Sequence, residues 1–117
     1  MTSRRRRSDA QHLEDAGEHL RVLKEHLGRG PLTDALVLDA VCKRLESAID
    51  SVDHVSDELL ATEFDSEEWS AIVGMRVILA HHYIDRSPEL VERTITNRLQ
   101  ALESSIAELA RTVGDAQ

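Results

Sequence analysis

Leu13, Ala16, Leu20, Leu23 and Leu27 recur at alternating spacings of three and four, the period of one apolar face of an α-helix. That spacing predicts a first helix from Asp9, ended by Gly28, Gly30 and Pro31 because glycine and proline interrupt helices. After Pro31, Thr33 or Asp34 caps a long second helix that turns Leu38, Val41, Leu45, Ile49, Val52, Val55 and Leu59 toward the core. The charged residues between those positions form a solvated face. A third helix starts at Asp65: Asp65 as N-cap with Glu68 three residues on makes a capping box, and Phe64 packs on Trp69 as a hydrophobic staple. It runs to about Asp85, where Ser87 and Pro88 supply the cap and first residue of a fourth helix. Val91, Ile95, Leu99, Leu102, Ile106, Leu109 and Val113 give that helix a long apolar seam. With short connections, no strand-like alternation and no Gly-rich phosphate loop, the expected fold is all-α, a four- to five-helix up-and-down bundle.

Composition sharpens this. The chain has 117 residues, 41% of them apolar, enough for one core and not for two. One Trp, one Tyr and one Phe leave the core to Leu, Val, Ile and Ala, which suits helix packing. Net charge is −8, and setting aside Arg4 to Arg7 leaves 10 basic against 22 acidic residues, or −12. Such a body repels a nucleic-acid backbone on average, so any nucleic-acid contact must be local. The four arginines repel one another and bury nothing, so residues 1–8 are expected to be a disordered basic arm and residues 9–117 a single helical domain. No apolar run approaches the roughly 20 residues that span a bilayer, and no signal-peptide core follows the arginines. The chain is therefore read as cytoplasmic, with no membrane partner.

The first helix carries a near-repeat that sets His12, His19 and His26 seven residues apart. Seven residues is roughly 10 Å along a helix, too far for two of them to share one zinc ion, and no metal site or cofactor is expected. Cys42 reads as a small packed residue and His54 as a rim residue of the second helix.

The chemistry concentrates in WSAIVGMRVILAHHYI, from Trp69 to Ile84. On an ideal helix Ile72, Arg76, Leu79 and Tyr83 share a face, while His81 lies about 140° from Arg76. Arg76, His81 and Tyr83 then meet around one phosphate only if the helix is distorted or a second copy of the chain supplies part of the site. A plainer arrangement pairs Arg76 with an acidic neighbour, packs Tyr83 on the core and leaves the histidines on the surface.

Arg76-Val-Ile-Leu-Ala-His81-His82-Tyr83 has the form R-x4-H-x-Y, and with it the chain resembles HEPN-domain proteins of the HepT type. These are the toxin half of HepT/MNT toxin–antitoxin pairs. AIDSVDHVSDELL (Ala48 to Leu60) and WSAIVGMRVILAHHYID (Trp69 to Asp85) resemble that family's second and third helices, and the likeness covers roughly residues 10–112. The resemblance implies a homodimer with paired motifs facing a shared cleft, metal-independent cleavage of RNA, and a cognate minimal nucleotidyltransferase antitoxin that places AMP on Tyr83. His81 would be the acid/base, a role that suits histidine as a residue type that titrates near neutrality, and Arg76 the permanently charged, bidentate phosphate clamp. Tyr83 would hydrogen-bond the substrate, with His82 and Arg86 as auxiliary phosphate contacts. Val77 stands where the family usually has Asn directly after the arginine. The alternative is thus a catalytically inactive bundle that binds a nucleotide or a protein partner.

Overall fold

The computed structural model describes residues 7–81 and 87–115, with side chains described for all of these except 77–81 and 115. Among the described residues five helices follow one another: α1 (Asp9–Leu27), α2 (Ala35–Asp53), α3 (Asp57–Leu60), α4 (Ser66–His81) and α5 (Pro88–Asp115). The fold is an all-α bundle, and none of its described helices is long and apolar enough to cross a membrane.

The start of α1 draws in the last two residues of the expected arm. Ser8 and Gln11 form a reciprocal capping box, with the Gln11 N–H donating to the Ser8 hydroxyl at 3.1 Å and the Ser8 N–H to Gln11 Oε1 at 2.8 Å. Arg7 pairs with Asp15 two turns into the helix at 2.9 Å. A serine before a helix satisfies amide donors that are otherwise open, so Ser8 serves as the N-cap of α1; residues 1–6 of the expected arm lie outside the described ones.

α1 packs most extensively on α2. Leu13, Ala16, Leu20 and Leu23 from α1 meet Val37, Val41, Cys42, Leu45, Ala48, Ile49 and Val52 from α2 in the core, closed by Val91, Leu99, Leu102, Ile106 and Leu109 from α5. Asp34 rather than Thr33 caps α2, accepting from the Leu36 N–H at 2.9 Å.

The second helix is shorter than its apolar spacing predicts. It ends at Asp53 with His54 as C-cap, and Ser56 opens α3. The Asp9 carboxylate of α1 accepts from both the N–H and the hydroxyl of Ser56, at 3.1 and 2.8 Å, satisfying the backbone donor that a continuing helix would have bonded internally. The break shifts the apolar phase by one position, so Leu60 rather than Leu59 is fully buried, beside Val55 and Phe64.

The start of α4 follows its sequence signature: the Glu68 N–H donates to Asp65 at 2.7 Å, the Asp65 N–H donates to Glu68 at 3.2 Å, and the Phe64 and Trp69 rings lie 5.0 Å apart. Ser87 caps α5, accepting from the Leu90 N–H at 2.9 Å.

Candidate functional site around Arg76

α4 is apolar on nearly every side, yet no residue from Ser66 to Arg76 is fully buried. Among the described residues it lies alongside only α2. Between α4 and α5 a groove of about 100 Å³ is lined by Phe64, Ile72, Met75, Ile95 and Leu99, with Glu68 and Arg98 supplying charge.

On the side toward α2, Trp69 and Arg76 are seven residues apart, within about 20° of two full helical turns, so they share a face. That face meets Asp50 and Asp53, three residues apart on α2 and neighbours on its surface. The Trp69 indole N–H donates to Asp53 Oδ1 at 3.2 Å. The Arg76 guanidinium donates from Nη1 to Asp50 Oδ1 at 2.6 Å, with Asp53 Oδ2 3.7 Å away. The Arg76 side chain is 25% exposed and that of Asp50 51%, so the pair sits at the mouth of the contact. His54 Nδ1 lies 2.7 Å from the Asp50 carbonyl oxygen, and the His54 ring lies 5.4 Å from that of His12.

Arg76 therefore does have the acidic neighbours of the plainer arrangement. This pairing does not exhaust the arginine. A guanidinium carries five N–H donors in a planar fork, and for each of the two carboxylates the nearest of its nitrogens is Nη1. One arginine against two carboxylates gives the spot a formal charge of −1, so an incoming phosphate is attracted by the fork and opposed by the carboxylates behind it.

Of the other candidate residues, His81 is the last residue of α4 and its side chain lies outside the described ones. His82, Tyr83 and Arg86 lie outside the described residues altogether. Asp50, Asp53 and the Trp69 indole N–H are participants that sequence reasoning missed. The signal available for them was the Asp-x-x-Asp spacing inside AIDSVDHV, which the amphipathic pattern assigns to solvent. Outside this site, the Arg44 guanidinium lies 3.0 Å from His19 Nδ1. Partial burial, then the Arg44 charge, lowers the pKa of that imidazole.

Fold and site together define an all-α bundle with an arginine-centred polar site where its fourth helix crosses the second. The family model described as "Ribonuclease HepT-like" matches residues 12–109, and the chain belongs to that HepT-like ribonuclease family. No curated protein and no solved structure matches the chain.

Proposed function

We propose that the protein is a metal-independent endoribonuclease toxin of the HepT type, acting in the cytoplasm as a homodimer and neutralised by a cognate MNT-family nucleotidyltransferase. The observation that carries this reading is the placement of Arg76, within a HepT-like family match, on an under-buried helix that also bears His81. His81 takes the proton of a ribose 2′-hydroxyl as that oxygen attacks the adjacent phosphorus. The P–O5′ bond breaks, and an imidazolium of the paired site returns a proton to the leaving oxygen. Arg76 stabilises the charge that gathers on the phosphorane oxygens. His82 and Arg86 add phosphate contacts, and Tyr83 touches the substrate.

Because Arg76 and His81 diverge by about 140° on one helix, a second copy of the chain completes the site. The partly covered apolar surface of α4 and its groove toward α5 supply the surface for that copy. AMP attached to the Tyr83 hydroxyl would bring its own phosphate to Arg76 and exclude the RNA phosphate by occupancy and like-charge repulsion.

A second reading, an inactive bundle that binds a nucleotide or a partner, draws support from Val77 and from the two carboxylates around Arg76. One experiment separates the two. Purified protein is incubated with RNA in excess EDTA, alongside His81→Ala and protein co-expressed with the neighbouring nucleotidyltransferase. The parent should cleave, His81→Ala should be slower by about 10²–10⁴-fold, and the co-expressed protein should be inert with an AMP-sized mass addition on Tyr83. Equal rates for parent and His81→Ala would overturn the mechanism, and an inactive parent would favour the binding module.

A further inference from the structure

We infer that Asp50 is a positioning residue for Arg76: its carboxylate, with Asp53 behind it, fixes the plane of the guanidinium so that its remaining donors face the RNA phosphate. The inference rests on the ribonuclease reading for its catalytic consequence, but its geometric part stands on α2 and α4 alone.

Three links lead from the backbone to the arginine. The capping box and staple at Asp65, Glu68 and Phe64 fix the rotation of α4 at its first turn, and so direct Trp69 toward α2. Trp69 engages Asp53 Oδ1, which leaves Asp53 Oδ2 as the oxygen nearer the guanidinium. Asp50 makes the closer contact to Nη1, 2.6 Å against 3.7 Å for Asp53. Both carboxylates approach the same nitrogen. Nη1 carries two of the five N–H donors, and the edge formed by Nε and Nη2 is the geometry that grips a phosphate with two parallel bonds. Holding a rigid planar group by one corner from two directions sets its plane, and a long side chain that would otherwise sample many rotamers is presented in one.

The same carboxylates carry a rival meaning. If Asp50 simply occupied Arg76, RNA would have to displace it, and removing Asp50 would raise activity by lifting like-charge repulsion. The two roles predict opposite signs.

The test compares parent, Asp50→Ala, Asp50→Asn and Arg76→Lys as full-length proteins. Each is assayed for RNA cleavage under multiple turnover, and its arginine Nε–H resonances are recorded on ¹⁵N-labelled protein. Positioning predicts that Asp50→Ala loses kcat on the order of 10²-fold with KM within about twofold of the parent. Asp50→Asn, which keeps an acceptor oxygen in place without the charge, should recover most of that loss. In the parent, the Nε–H signal that vanishes in Arg76→Lys should be sharp and separate from those of mobile surface arginines. It should collapse toward them in Asp50→Ala and persist in Asp50→Asn. A higher or unchanged kcat/KM in Asp50→Ala, or an Arg76 Nε–H signal unaltered by it, overturns the proposal. A parent that cleaves nothing removes the ribonuclease reading, and the Nε–H signals then decide the positioning claim by themselves.

Discussion

The α1–α2 pair and α4 are built by opposite rules. α1 and α2 are amphipathic, and the stripe each presents is closed: Ala16, Leu23, Val41, Ile49 and Val52 have no exposed surface, and Leu13 and Leu20 almost none. α4 carries Trp69, Ile72, Val73 and Met75 around its circumference, but the chain covers them only in part. A helix that is apolar all round belongs in an interior, and among the described residues α4 packs closely on α2 while Ile72 and Met75 line a groove toward α5. The first pair therefore holds the fold together, while the described residues of the second element, Arg76 among them, are only partly covered.

The largest effect should come from breaking the closed side. Leu23→Ala removes a fully buried side chain and should cost about 2–5 kcal/mol, read as a fall in Tm on the order of 10 °C. On the open side the same kind of insult should act on assembly instead. Ile72→Glu places a charge on the wall of the α4–α5 groove, and sedimentation should show a shift from dimer to monomer with the helical circular dichroism of the parent retained. A parent that sediments as a monomer at micromolar concentrations would dissolve the contrast between the two regions.

The smallest effect belongs to the hinge between them. Asp65→Ala removes the acceptor that holds the first turn of α4 and should lower Tm by a few degrees. Its pH dependence has a definite sign. The backbone N–H of Glu68, before any other cause, lowers the Asp65 pKa, so the folded state favours the ionised form. That contribution is present above the ordinary carboxylate range and is lost as pH falls through the folded-state pKa. The Tm difference between parent and Asp65→Ala should accordingly shrink toward acid.

Much of this architecture was legible in the chain because its signals are local. Ser87-Pro88 at the start of α5, the Asp65/Glu68 box with its Phe64–Trp69 staple, and the leucine spacing of α1 all act over three to five residues, within reach of helical periodicity. The family was legible as well, and the family match agrees with that resemblance.

The break after Asp53 was not legible, because Val55 and Leu59 continue the helical period. At that junction Ser56 caps α3 by accepting from the Leu59 N–H and also bonds to Asp9, 47 residues away. The partners of Arg76 were hidden for the same reason: Asp50 lies 26 residues back, on positions that α2's own pattern assigns to solvent. By itself the sequence determined four of the five described helices, most of their caps, the apolar stripes and the family, all set by contacts between near neighbours along the chain. Only the tertiary structure decided where α2 stops, which carboxylates hold the arginine, and that α4 is only partly covered from Ser66 to Arg76. Those depend on contacts between residues far apart in the chain, which the spacing along any one helix does not encode.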